Sequence, residues 1–323
     1  MARYSIGVDF GGTKILAAVV DVETGRIIGS AKKKSKKEKG SEVVLKRLIE
    51  TIENAVFESE IPLSQIDSIG IGVAGQVDRK NGILISAPNL DFHHVDLKRI
   101  IEDELKVETL IGNDVEVATL GEMTFGSGRE YDNFVCIFVG TGIGGGIVIN
   151  HKLYQGACGT AGEVGHIVIE NGGRHCGCGA SGCLEAYASR TAIEKRIRSY
   201  IKKGHKTIIT DLLEDDDKVI RSKHLKIAVK EGDEVVLSCL NEAAAYLSAG
   251  IASIVNFLNP EIIILGGGLT ESVDYYYDMV AKKTVFKALP TPAKHIKFAK
   301  AMLGDYSGVI GAALLKTYYS QIN

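Results

Sequence analysis

Three cysteines, Cys176, Cys178 and Cys183, stand close together in a segment punctuated by Gly177, Gly179 and Gly182. Glycines let a backbone curl tightly enough for several thiolates to converge, so the spacing is that of metal ligands. A closed tetrahedral zinc site needs a fourth donor, and two histidines are near: His166, upstream of the cysteines, and His175, directly beside Cys176. Cys-x-Cys-x4-Cys is not a common finger spacing, and free thiols in a glycine-rich loop are the plain alternative. Disulfides rank lower, because adjacent Cys-x-Cys bridges are strained and nothing at the N-terminus reads as a secretory signal. The expected compartment is a reducing cytoplasm.

Two glycine turns carry the second chemical signal. In YSIGVDF, GGTK, ILAAVVD, Gly11 and Gly12 let the chain close on an anion, while Thr13 and Lys14 supply a hydroxyl and a cation. The same grammar returns in NFVCIFV, GTGIGGG, IVIN, followed by a turn at Asn150-His151-Lys152. One such hairpin is an ordinary turn. A pair heading two halves of a chain points to a duplicated α/β unit with a ligand clamped between the copies. Neither turn is a P-loop, and the Gly-x-Gly-x-x-Gly match from Gly140 to Gly145 runs into a strand pattern where a dinucleotide site needs a helix. Gly75 and Asn89 fall at loop tips. Asn113 and Asp114 stand where the strand VETLIG yields to the helical pattern VEVATLGEM, a place where Asp114 reads as a helix N-cap. Gly266 to Gly268 follow the apolar strand EIIIL and suit close approach of a nucleotide.

Taken together, Glu163-x-Gly-His166, the run Cys-x-Cys-Gly-x2-Gly-Cys-x-Glu185, Asp9-x-Gly-Gly-Thr-Lys and Gly-Thr-Gly-x-Gly-Gly-Gly resemble the ROK family of sugar kinases and repressors. The likeness extends over nearly the whole chain. It implies an α/β fold of two ribonuclease H-like domains of the actin/hexokinase superfamily, with a ligand cleft between them. The first would be residues 1–114, with the C-terminal helix 308–323 packing back on it, and the second 115–307, carrying the zinc motif. In the family His166, Cys176, Cys178 and Cys183 would bind a structural Zn2+. Gly75, Asn89, Asn113, Asp114, Glu163, His166 and Glu185 would hold the sugar, with Asp114 as catalytic base. ATP with Mg2+ would lie against Asp9, Gly11, Gly12, Thr13, Lys14, Gly140, Thr141, Gly142 and Gly144, with Gly267 and Gly268 on the adenosine side. The implied reaction moves the γ-phosphoryl group of ATP to the 6-hydroxyl of a hexose, glucose being favoured. Fructose, mannose, N-acetylglucosamine, N-acetylmannosamine and a polyphosphate donor are the alternatives. A family repressor needs a helix-turn-helix ahead of the first glycine turn, and that turn lies close to Met1, so a repressor is not expected.

The elements that must position these groups are legible in part. The chain has 323 residues, enough for two medium domains, and 38 basic against 40 acidic side chains give a formal charge of -2. Such a balance creates no field for nucleic acid or an acidic membrane. The partners that the resemblance implies are a hexose and ATP, with further copies of the chain in a homodimer or homotetramer. The lysine-rich AKKKSKKEKG reads as a solvated strand edge that discourages aggregation, with a polyanion patch as the alternative. From Ser41, taken as N-cap, to Glu60 an amphipathic helix turns Leu45, Leu48, Ile49, Ile52 and Val56 inward. Residues 204–232 are charged and predict a short helical excursion. Leu237, Leu240, Ala244, Leu247, Ile251, Ile254 and Leu258 are spaced for one buried helical face, and no apolar run reaches a membrane span of about 18 residues.

Overall fold

The computed structural model describes residues 3–213 and 219–322. Two compact units divide the chain: residues 1–130 with 305–323, and residues 131–304. In the first, β1 (Tyr4–Phe10), β2 (Lys14–Asp21) and β3 (Arg26–Lys34) form an antiparallel meander, and β4 (Ile66–Val73) pairs in parallel with β1. A small antiparallel sheet follows, made of β5 (Gln76–Asp78), β6 (Ile83–Ala87) and β7 (Phe92–Val95), before β8 (Thr109–Asn113) joins β4 in parallel. The strand order β3-β2-β1-β4-β8 puts β1 at the centre, and both its faces are covered: Ile6 and Val8 are fully buried on one, and Ser5 is buried on the other.

Helix α1 (Ser41–Ser59) buries Val44, Leu48, Ile52 and Ala55, with Leu45, Ile49 and Val56 packed at the rim of the same core. Gly40 occupies its N-cap position without a side-chain bond, so Ser41 is the first helical residue rather than the expected cap. Asp96 does cap α2 (Leu97–Leu105), accepting from the Arg99 amide at 3.1 Å. Helix α3 (Asp114–Thr124) follows β8 directly.

The second unit repeats the plan. β9 (Phe134–Val139), β10 (Ile143–Ile149) and the short β11 (Lys152–Leu153) form the meander, with Asn150 and His151 both left-handed in the tight turn, and β12 (Ile262–Gly266) and β13 (Lys297–Lys300) add in parallel. The order β11-β10-β9-β12-β13 matches the first sheet strand for strand. Its helices are α4 (Glu185–Ala188), α5 (Arg190–Lys202), α6 (Ile209–Leu212), α7 (Ser222–Lys230), α8 (Glu234–Leu258), α9 (Gly268–Ser272), α10 (Asp274–Lys287) and α11 (Pro290–His295). The helical excursion expected over 204–232 resolves into α6 and α7, and residues 214–218 lie outside the described ones. Leu240, Ala244, Leu247, Ile251 and Ile254 are buried as the spacing predicts, whereas Leu237 and Leu258 sit at the edge. At 25 residues α8 is long and apolar enough to cross a membrane, contrary to expectation, yet most of its apolar stretch is buried in this unit's core.

The chain then returns to the first unit through α12 (Ser307–Ala313) and α13 (Leu315–Ile322), two helices where one was expected. α12 lies directly on β1 and β4. A Cβ added at Gly7 would fall 1.8 Å from the Val309 carbonyl oxygen, and one at Gly70 equally close to that of Ala312, so only glycine allows this approach. Because α12 also packs on α3, the compact units part after Glu130 and not between 114 and 115.

Candidate active site and metal centre

The first glycine turn joins the central strands β1 and β2. Gly11 N–H donates to the Lys14 carbonyl at 3.0 Å, and Ser35, just past β3, clamps the turn from below. Its amide donates to Thr13 O at 3.1 Å and its hydroxyl to Gly11 O at 2.6 Å. Gly12 abuts the Asn89 backbone, where a Cβ would meet the carbonyl oxygen at 2.7 Å, so the loop tip carrying Asn89 is seated on the turn. At the end of β1, burial pushes the Asp9 carboxyl up from 3.8 to about 6; Lys14 opposes the rise, and the nearby Asp114 and Asp305 add to it. Lys14 Nζ lies 3.2 Å and Lys32 Nζ 3.5 Å from the two carboxylate oxygens of Asp305.

Asp114 opens α3, but the capping role falls to Asn113, which corrects the expected N-cap. Asn113 Oδ1 accepts from the amides of Val115 at 3.0 Å and Glu116 at 3.2 Å, while its Nδ2 donates to Gly75 O at 3.2 Å. One side chain thus fixes the helix start and the Gly75 loop to each other. Arg79 Nε donates to Glu116 at 2.8 Å, a second tie between the small sheet and the Asp114 helix that no sequence motif announced. Asp9 and Asp114 together offer hard oxygen donors beside the first glycine turn, and the burial that raises Asp9, with Asp114 and Asp305 adding to it, is a cost that a bound divalent cation would offset; the set fits Mg2+.

In the second unit the turn Gly140 to Gly142 closes with Gly140 N–H donating to Gly142 O at 2.9 Å. The start of α5 braces it: Arg190 N–H reaches Gly140 O at 3.0 Å, Arg190 Nη2 reaches Thr141 Oγ1 at 3.2 Å, and Thr191 Oγ1 donates to Thr141 O at 2.7 Å. Arg190 and Thr191 were invisible to motif reading because they lie far along the chain in an unremarkable helical stretch. Gly144 is in β10, paired with Phe138. Gly267 follows β12 at the N-cap position of α9 with a left-handed φ of 88°, its N–H donating to Glu271 Oε1 at 2.8 Å, and Gly268 starts α9.

The metal-ligand candidates are gathered in this unit. His166, Cys176, Cys178 and Cys183 place one donor atom each within 4.8 Å of all the others. Cys176 Sγ is 3.7 Å from His166 Nδ1, and Cys178 Sγ is 3.7 Å from Cys183 Sγ. A tetrahedron with Zn–S bonds of about 2.3 Å sets its sulfurs roughly 3.8 Å apart, so the set fits zinc. His175 stands aside, its Nδ1 3.0 Å from Ser181 Oγ. His166 turns its other nitrogen, Nε2, toward Glu163 Oε2 at 3.9 Å, which leaves that edge for a hydroxyl. Burial pushes the Cys176 thiol up to about 12 and raises Cys183 as well, while the Ala180 backbone amide lowers Cys178; a bound cation would offset the first two. Glu185 joins the two features, its Oε2 accepting from Ile143 N–H at 2.9 Å and its Oε1 lying 3.8 Å from Cys176 Sγ.

Residues 5–318 match the ROK family. A protein named glucokinase from Thermotoga maritima is 35% identical over 309 residues, covering 95% of both chains. The crystal structure of a ROK family glucokinase from Streptomyces griseus, in complex with glucose and AMPPNP, superposes with a TM-score of 0.87 at 33% identity, covering 97% of this chain and 98% of that one. A putative xylose repressor from Caldicellulosiruptor is 30% identical over 96% of this chain and 77% of its own length. The fold is accordingly the two-domain actin/hexokinase-like one.

Proposed function

The chain belongs to the ROK family, and we propose that it is a sugar kinase that transfers the γ-phosphoryl group of ATP to the 6-hydroxyl of a hexose, with glucose favoured. The observation that carries this reading is the pairing of Asp114, at the start of α3, with Asp9 and the Gly11–Lys14 turn in one compact unit. Phosphoryl transfer asks little covalent chemistry of a protein; it needs an aimed hydroxyl and charges placed for the phosphates. Asp114 would accept the hydroxyl proton and orient its oxygen. Gly75, Asn89, Asn113, Glu163, His166 through Nε2, and Glu185 would hold the remaining sugar hydroxyls. Thr13, Lys14 and Thr141 would neutralise charge on the phosphates, with Gly267 and Gly268 on the adenosine side. Mg2+, held near Asp9 through water, supplies further neutralisation when bound. Zn2+ on His166, Cys176, Cys178 and Cys183 would have no open position, so its part is to fix the loop that carries Glu163 and Glu185. Cytoplasmic placement and a homodimer or homotetramer complete the reading.

Names and ligands of relatives support ATP and glucose, while the repressor relative supports a rival in which the same fold senses sugar without turnover. A coupled assay of glucose, fructose, mannose, N-acetylglucosamine and N-acetylmannosamine, each with MgATP and with polyphosphate, separates them. The expected result is phosphorylation of glucose by ATP that is abolished in Asp114→Ala. Sugar binding with no turnover on any acceptor would overturn the kinase reading.

A further inference from the structure

The lysine-rich segment is divided by the alternation of β3. Successive strand residues point to opposite faces, and the register sets Lys14 opposite Lys34 and Leu16 opposite Lys32, so Lys14, Lys32 and Lys34 share one face. Lys33, on the other face, pairs with Glu50 of α1 at 2.9 Å. Lys32 instead reaches across its own face to Asp305, the residue that also holds Lys14 of the glycine turn. The strand is locked to that turn by Ser35, which bonds to Gly11 O and Thr13 O. Lys32 is thus half-exposed, but its backbone is carried on the strand that Ser35 ties to the turn, and its ammonium faces the carboxylate that Lys14 also meets.

Asp305 meets two cations with a single carboxylate, and its side chain remains 64% exposed. Burial alone would raise its carboxyl, yet Lys14 and Lys32 together hold it below the usual range. An exposed carboxylate bridging two ammonium groups is weakly held, because water competes for all three. A phosphate chain brings more charge and more acceptor oxygens than one carboxylate and can replace it. We propose, resting on the kinase reading above, that Lys32 is a second cation for the phosphoryl chain of the donor, and that Asp305 keeps Lys14 and Lys32 aimed at the turn until the phosphates displace it. The ligand class is a linear phosphate chain, whether of a nucleoside triphosphate or of inorganic polyphosphate.

Binding of inorganic tripolyphosphate, MgATP and AMP to the full chain, measured by calorimetry without sugar at low salt, tests this apart from turnover. Lys32→Met should weaken tripolyphosphate and MgATP by about threefold to tenfold, with Lys32→Arg close to wild type, and the loss should shrink in 0.5 M salt. AMP, lacking the outer phosphates, should be unaffected. Asp305→Asn should tighten tripolyphosphate, since it removes the competing anion, and the gain should vanish in the Lys32→Met/Asp305→Asn double variant. Lys33→Met, on the opposite face, should bind as wild type. If only MgATP responds, the chain recognised is the nucleotide's; an equal response of tripolyphosphate admits either source. Unchanged affinities in Lys32→Met, or weaker tripolyphosphate binding in Asp305→Asn, would overturn the proposal even if glucose is phosphorylated. Conversely, the expected shifts in a protein that phosphorylates no hexose would preserve this inference and sink the kinase reading.

Discussion

The two sheets have the same strand order but opposite chemistry at the same place. In the first, Asp9 is the penultimate residue of β1 and pairs across the parallel ladder with Gly72; in the second, Phe138 is the penultimate residue of β9 and pairs with Gly266. A carboxylate in one copy thus answers an aromatic ring in the other. The turns that follow differ in the same sense. The first is surrounded by Asp9, Lys14, Lys32, Asp114 and Asp305, while the second is a run of glycines held in shape by Arg190, Thr191 and Glu185. Duplicated backbone does not entail duplicated chemistry: on the proposed reading the first copy would supply charge to phosphoryl transfer and the second a shaped surface.

Four experiments would break or sharpen that contrast. The largest effect is expected at Asp114. Asp114→Ala should lower kcat by roughly 10²- to 10⁴-fold with a smaller change in sugar affinity, because the base chiefly orients the nucleophile. Near-normal kcat in a folded variant would remove Asp114 from the chemistry and with it the charged role of the first unit.

Next comes the metal loop. Cys178→Ser, or a chelator strong enough to strip zinc, should lower the melting temperature and weaken kcat/KM for sugar by about 10- to 100-fold. The Glu185 carboxylate links Cys176 to Ile143, so KM for ATP should rise as well, whereas tripolyphosphate binding in the first unit should stay put. Metal analysis finding no zinc, or wild-type stability in Cys178→Ser, would dissolve the shaped-surface account of the second unit.

A third effect concerns pH. The folded Asp9 carboxyl titrates near 6, above its unfolded 3.8, so its favourable contribution is complete below pH 3.8 and is lost as pH rises through 6. The loss is at most about 3 kcal/mol for a shift of this size. Asp9→Asn should therefore match wild type near pH 4 and exceed it in urea resistance at pH 7 to 8, in EDTA, while losing activity. A wild-type stability curve that does not fall relative to Asp9→Asn over that interval would show that Asp9 is not an unbalanced buried charge.

The smallest change is expected at the brace of the second turn. Thr191→Val removes one hydrogen bond to Thr141 O and should cost about 1 kcal/mol with a few-fold rise in KM for ATP and kcat nearly intact. A kcat loss as large as that of Asp114→Ala would mean that the second turn takes part in the chemistry and that the contrast between the copies is false.

Much of this candidate site is legible in the sequence. Clustered Cys and Gly, the two glycine turns and the Asn113-Asp114 junction are local signals, each confined to a few neighbouring residues. The choice of His166 over His175 was not local: it depended on how the loop folds back, and Nδ1 of His166 reaches Cys176 only after that fold. Likewise Asn113 rather than Asp114 caps α3, a distinction set by backbone dihedrals that residue type alone does not resolve, since both side chains cap well. Asp305, Ser35, Arg190 and Thr191 were silent because each acts on a turn far from it in sequence. The fold shows the same division. Strands β1, β9 and β12 are announced by apolar runs, but the short β13, KFAK, carries no such pattern and exists only because β12 offers it a paired edge.

The discontinuity of the first unit bears on synthesis. Residues 131–304 are contiguous and can complete their core as soon as they emerge, whereas the first unit must wait for α12, whose backbone rests on Gly7 and Gly70. The portion made first is therefore the portion finished last. Until the final helices arrive, the face of β1 and β4 on which α12 rests, built around Gly7 and Gly70, stays open, and an unfinished sheet of this kind is the condition in which nascent chains recruit chaperones or stick to one another. Messages truncated shortly before Asp305 should accordingly yield a protein whose second unit is folded and protease-resistant while its N-terminal strands are degraded.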